Sequence, residues 1–321
     1  MFIHKKAKSN QSRYVCECFI FDSIRDMAVD SEKATYAHKD PYQPHDFDRL
    51  HFYGREIRDL EHAVKISTEP WDDGLKIIQE MIDELRDSKL PMLTSKKRRS
   101  VWRMDDGDDV DMDRLRSGQE FWRKSQREKT PGSGTITIIS DMRAACIVNA
   151  NNILWRGAAS IVLTYLLEQA GYRVELWAGQ AGAQAYTDHS EMMVAARIKT
   201  HQEPLNLGTA VASVSSWFYR SVGFHAANLC QEKNPTAFAA MDRPNGMVPF
   251  IPLLSKDETS FVVQGIWDKE AALNFVRNAS KAIEEGDVTN CKWAYSWEHC
   301  LNQSYSLKDI QDVVRINPLA N

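Results

Sequence analysis

From Thr135 onward, the apolar and polar positions fall into segments whose period switches between strand and helix. Thr135–Ile139 is a short β-branched run, entered through Pro131, Gly132, Ser133 and Gly134, which is turn chemistry ahead of a strand. Asn151 or Asn152 can cap a helix running to Ala170, where Ile153, Leu154, Ala158, Ile161, Val162, Tyr165 and Leu166 form a wide apolar stripe and Gly171 closes the last turn. Tyr172–Ala178 reads as a second strand. A helix fills the space between the two strands, so the pair is predicted to be parallel, with a right-handed crossover. Glu191–Lys199 continues as a strand, Leu207–Ser221 as a helix and Thr259–Ile266 as a strand. Val248–Leu254 is a further strand candidate that Pro249 and Pro252 push to an edge or a loop. Asp268 can cap a helix through Glu285, ended by Gly286.

The first 130 residues are charge-rich and less regular. Arg55–Ile66 carries Ile57, Leu60, Ala63 and Val64 at helical spacing. Trp71–Leu85 carries Trp71, Leu75, Ile78, Met81, Ile82 and Leu85, with Pro70 at the helix start. A tail from Asp287 holds Trp293, Tyr295 and Trp297, then a capping box of Ser306 and Asp309 ahead of a predicted final short helix. Alternating strands and helices predict an α/β protein with a mostly parallel open sheet over residues 131–286, layered like a Rossmann domain. A helical extension over 1–130 and an appendage over 287–321 flank it.

Composition removes several classes of function. The chain has 321 residues, 40 Lys plus Arg against 44 Asp plus Glu, and 43% hydrophobic residues. That is globular, large enough to bury a core without disulfides, and too balanced in charge for wholesale binding to nucleic acid or anionic lipid. Lys5, Lys6 and Lys8 are not followed by a signal-peptide apolar region, and the densest apolar segment, Ala158–Leu167, is too short to span a bilayer. Six cysteines without pattern fit free thiols in a reducing cytoplasm.

In an open parallel sheet, ligands sit beyond the carboxyl ends of the strands. The loop after the first predicted strand reads Ser140-Asp141-Met142-Arg143-Ala144-Ala145-Cys146. This strand ending in Asp is followed by a helix with Trp155-Arg156-Gly157-Ala158-Ala159 that runs into Gly171-Tyr172-Arg173-Val174-Glu175. Together with the upstream stretch Asp109-Val110-Asp111 to Arg116-Ser117-Gly118 and Trp122, it resembles phage and bacterial proteins with a von Willebrand factor A-like core. The resemblance covers roughly residues 50–285 and implies the fold more firmly than an activity. The metal site of that family requires Asp-x-Ser-x-Ser, because Mg²⁺ takes hard oxygen ligands in near-octahedral geometry. Asp141 matches the first ligand, but Arg143 and Ala145 stand where the two serines belong. No metal and no cofactor are expected; a guanidinium beside the carboxylate favours an ion pair. Later ligands are open between Thr187 and Thr209, and between Asp188 and Asp242.

Other constellations are incomplete. Gly179-x-x-Gly182 lacks the spacing of a phosphate-binding turn, Asp188-His189-Ser190-Glu191 has no second histidine nearby, and Cys291, His299 and Cys300 lack zinc-site spacing. The basic run Lys96, Lys97, Arg98 and Arg99, with Trp102 and Arg103 behind it, is the best nucleic-acid candidate, although six aspartates between Asp105 and Asp113 oppose the same polyanion. The expectation is therefore a cytoplasmic, non-catalytic protein-binding or scaffolding protein of phage or mobile-element origin, with no membrane association. It would recognise its protein partner through Asp141, Arg143, Asp188 and Thr209. Nucleic-acid association through Lys96–Arg103, and an enzyme with a degenerate metal site at Asp141, are the alternatives.

Overall fold

The computed structural model describes residues 2–8, 15–34, 49–87, 99–104, 109–126, 134–144, 148–182, 191–233, 253, 259–285, 294–295 and 311–316. In chain order, strands β1 (Phe2–Lys8) and β2 (Val15–Phe21) precede helices α1 (Ile24–Ser31), α2 (Arg49–Tyr53), α3 (Leu60–Ile66) and α4 (Asp72–Asp87). A small unit follows, made of β3 (Arg99–Arg103), β4 (Asp109–Val110), α5 (Met112–Arg116) and β5 (Trp122–Gln126). Then come β6 (Thr135–Asp141), α6 (Ala150–Gln169), β7 (Arg173–Gly182), β8 (Glu191–Lys199), α7 (Leu207–Ser213) and α8 (Ser216–Phe218). A π-helix (Tyr219–Gly223) leads into α9 (Phe224–Lys233), followed by β9 (Thr259–Val263), α10 (Lys269–Glu285), β10 (Ala294–Tyr295) and β11 (Gln311–Ile316).

The β6-α6-β7 unit forms as its sequence dictates. β6 and β7 pair in parallel from Thr135↔Arg173 to Asp141↔Gly179, and the 20-residue α6 crosses between them. Gly171 ends the crossover at φ 93°, a conformation glycine adopts without the Cβ clash. The helix cap lies two residues before Asn151 and three before Asn152, with Asn149 accepting from the Asn151 N–H.

Eight strands share one sheet in the order β10-β9-β6-β7-β8-β2-β1-β11. It is a mixed sheet: β9/β6, β6/β7 and β8/β2 are parallel, whereas β7/β8, β2/β1, β1/β11 and β9/β10 are antiparallel. The α/β class is therefore as expected, but the chain turns back at β8, where Gly182 pairs with Met192 and Leu176 with Lys199. Direction was beyond the sequence pattern, because both orientations of β8 bury the same alternate residues.

The N-terminal stretch is not purely helical. β1 and β2 belong to the sheet itself, with β2 seated on β8 from Cys16↔Glu191 to Phe21↔Ala196. A final short helix is likewise replaced, over residues 311–316, by β11 paired with β1. The predicted helix Leu207–Ser221 breaks after Ser213. There the Ser215 hydroxyl accepts from the Phe218 N–H to start a new helix, and a π-turn follows. The predicted strand Val248–Leu254, apart from Leu253, and the capping box of Ser306 and Asp309 lie outside the described residues.

The two faces of the sheet separate by parity. Phe19, Phe21, Ile136, Ile138, Val174, Leu176, Val194, Ala196, Phe261 and Val263 join one core with the apolar sides of α1, α4, α6, α9 and α10. Cys18, Ile20, Ile139, Trp177, Met193, Ala195 and Val262 are buried on the opposite face. Among the described residues, the helices of this core lie on the first face, whereas Rossmann-type layering places helices on both.

Candidate functional site

β6 is flanked by β7 on one side and by β9 on the other, both parallel to it. The chain leaves β6 toward β7 and returns later on the other side, so the carboxyl end of β6 is a topological switch point, where open α/β sheets place ligands. Asp141 is the last residue of this strand.

Asp141 and Arg143 form a closed pair there, 3% and 8% exposed. Arg143 Nε donates to Oδ1 and Oδ2 of Asp141 at 2.9 Å each, and Nη2 donates to Oδ2 at 2.6 Å. The Arg143 backbone N–H, a third donor, adds a fourth hydrogen bond, to Oδ1 at 3.0 Å. The guanidinium thus stands on both carboxylate oxygens, where a divalent ion would need them. Among the described residues, no cluster of three His, Cys, Asp or Glu side chains could hold a metal. The residues at Asp141 do not fit a divalent cation.

Beneath the loop lies Arg156, from the second turn of α6, 1% exposed. Its Nη1 donates to the carbonyl oxygens of Asp141 and Arg143, the latter at 2.8 Å. Trp267, four residues past the end of β9, places its ring centroid 4.3 Å from the Arg156 Cζ. Burial lowers the Arg156 pKa to about 10; Asp141 opposes this shift and Arg143 adds to it. Arg156 and Trp267 are functional candidates that the sequence reading passes over. The available signal was a lone cation inside the apolar stripe between Leu154 and Ala158 of α6.

The other predicted site residues do not converge here. Asp188 lies outside the described residues. Thr209 sits in the first turn of α7, its backbone N–H donating to Asn206 Oδ1 and its hydroxyl to the Asn206 carbonyl, at 3.4 and 3.3 Å. The loop before it is tied to the far end of the sheet. Leu205 N donates to Glu168, near the end of α6, and Lys199 Nζ bonds to Val174 O at 2.6 Å and Glu168 Oε1 at 2.7 Å. Because β8 is antiparallel to β7, the chain leaves β8 at the end of the sheet opposite Asp141 before it reaches Thr209.

Of the basic run, Lys96, Lys97 and Arg98 lie outside the described residues, and Arg99 opens β3. Trp102 and Arg103 are successive strand residues and so point to opposite faces of the small sheet. Arg114 from α5 stacks over Trp102, its Cζ 4.3 Å from the ring centroid. One of the opposing aspartates has a local role: Asp111 caps α5 by accepting from Asp113 N and Arg114 N. A separate cleft of about 440 Å³, lined by Arg55, Arg58, His62, Trp71, Asp72 and Asp73, mixes both charge signs.

Comparison with known proteins places the chain in a family without assigning an activity. The model of DUF7192, a domain of unknown function, matches residues 11–285, and the chain belongs to that family. No curated protein and no solved structure matches it.

Proposed function

We propose that this member of the DUF7192 family is a non-catalytic partner-binding or scaffolding protein, cytoplasmic and of phage or mobile-element origin. Its von Willebrand A-like core would present a protein-binding surface at the carboxyl edge of the sheet, without a metal ion. The observation carrying this reading is the Arg143 guanidinium on both oxygens of Asp141. A charged side chain of the chain itself takes the cation position and ties Asp141 to Arg143 at the end of the strand. Asp141 and Arg143 are too buried to touch a partner and act as the brace; the partner would read the loop around Ala144. Supporting the core assignment is the β6-α6-β7 crossover with β9 returning on the other side of β6. Among the described residues, no helix is long and apolar enough to cross a membrane.

The test is site-specific photo-crosslinking in source cells, with the crosslinker at Ala144 or, as a control, at exposed Lys76 on α4. The expected result is one protein adduct from position 144, absent from position 76 and unchanged by EDTA. Equal labelling from both positions, or an adduct that EDTA abolishes, refutes the reading.

Nucleic-acid association is retained as a second reading on one observation. In β3 and β5, Trp102 pairs with Arg123 and Arg103 with Trp122, which places a cation beside an aromatic on each face. It predicts salt-dependent retention on single-stranded DNA or RNA, weakened by Arg123→Glu.

A further inference from the structure

A buried cation is stable only when its charge and its N–H groups are compensated. At the carboxyl edge of β6, two buried arginines meet one carboxylate. Arg143 occupies both oxygens of Asp141, and Arg156 uses only Nη1, on two backbone carbonyls. The Nε and Nη2 of Arg156 are buried without a hydrogen-bond partner among the described residues. These two groups share one edge of the guanidinium. They form the parallel fork that receives two oxygens of a phosphate or carboxylate.

Independent features converge on the same place. α6 is 20 residues long, and its amino terminus opens one and a half turns before Arg156, bringing positive dipole charge to this edge. The location is the switch point, where the strand order reverses. Trp267 covers a face of the Arg156 guanidinium while 39% exposed, and Gly265, two residues before it, has a φ of 66°.

We infer that Arg156, with the amino terminus of α6, is a binding site for the oxyanion of a small ligand, phosphate or carboxylate, received bidentately on its Nε–Nη2 edge beneath Trp267. Arg143 is a positioning residue in this arrangement: by holding Asp141, it keeps that carboxylate from closing the fork. The lowered pKa of Arg156 agrees with a charge that the chain leaves under-compensated. The site does not depend on the partner-binding reading, since anion binding and crosslinking at Ala144 are separate measurements.

The experiment titrates the full-length chain with inorganic phosphate and with succinate, against sodium chloride at matched ionic strength, reading thermal midpoint and tryptophan fluorescence. A saturable rise in midpoint with one of the two oxyanions, absent with chloride, is expected, and the anion that acts identifies the ligand class. Arg156→Lys keeps the charge but loses the fork and should weaken binding about ten- to a hundredfold. Trp267→Phe should keep the midpoint shift and lose the fluorescence change. No saturable response of the wild-type chain to either oxyanion overturns the inference, even if Arg156→Lys fails to fold. Unchanged affinity in a folded Arg156→Lys, or a fluorescence response that survives Trp267→Phe, overturns it as well.

Discussion

Gly157 and Arg156 are neighbours on α6 with opposite constraints. A Cβ on Gly157 would lie 2.4 Å from the Val214 carbonyl oxygen and 2.5 Å from Val214 Cγ2. One of these atoms is backbone, so the clash cannot be relieved by a rotamer change. Gly157→Ala gains helix propensity yet should lose about 1–3 kcal/mol net, read by urea denaturation, because overpacking outweighs the propensity term. A stability equal to wild type would mean that the α6 to α7 approach is looser than described. At the Asp141–Arg143 pair, removing either partner strands a buried charge, so Asp141→Ala and Arg143→Ala should each cost about 3–5 kcal/mol. The double variant should cost clearly less than the sum of the singles, and strict additivity in the cycle would deny the coupling. This pair was legible from the sequence, since a spacing of two after a strand end places carboxylate and guanidinium within reach. Arg156 was not, because its partners are carbonyls 13 and 15 residues upstream, which no local pattern shows.

Elements whose burial follows a clean period were legible in type and nearly in extent. α6, α4, α10 and the strands β6, β7 and β8 are examples. The elements missed were those for which tertiary context decides. Val15–Phe21 is a strand-length apolar run broken only by Glu17 but sits in a charge-rich half, and β1 is led by Phe2, Ile3 and His4 ahead of lysines. What fixes this hairpin is a packed set of rings, with Phe2 5.6 Å from Phe19 and 5.4 Å from Phe21, and a buried His4–Glu17 contact at 2.5 Å. β2 in turn covers the hydrogen-bonding edge of β8. Deleting residues 1–21 should therefore expose an unpaired ladder and shift the chain to larger species than the full-length protein on size-exclusion chromatography, because bare edges template association. A truncated chain that elutes as the full-length protein does, with its melting point intact, would show the hairpin to be dispensable. Helix interruptions such as the one at Ser215 escaped for a related reason. Ser215 both ends one helix and caps the next, and the apolar stripe continues across the break.

Across the whole molecule, two buried thiols among the described residues report on opposite layers. Cys18 lies on the second face of the sheet, and Cys230 belongs to the main core on α9. Burial pushes the Cys230 thiol up, with Asp30 adding to the effect, so little thiolate forms at neutral pH and alkylation requires opening. If both layers unfold together, peptide-resolved alkylation across a urea series should give coincident midpoints for Cys18 and Cys230. Separated midpoints would mean that the layers come apart in steps. A larger consequence follows from the reversal of β8. β9, β6 and β7 run one way, while β8 and β2 run the other, so this sheet has two heads instead of a head and a foot. The second head carries Asp22, Arg197 and Lys199; Arg197 stands level with Ile139 and Lys199 with Ile138, about 7–10 Å along the strand axis from Asp141. Strand ends, and the loops that follow them, therefore leave this sheet at both of its rims.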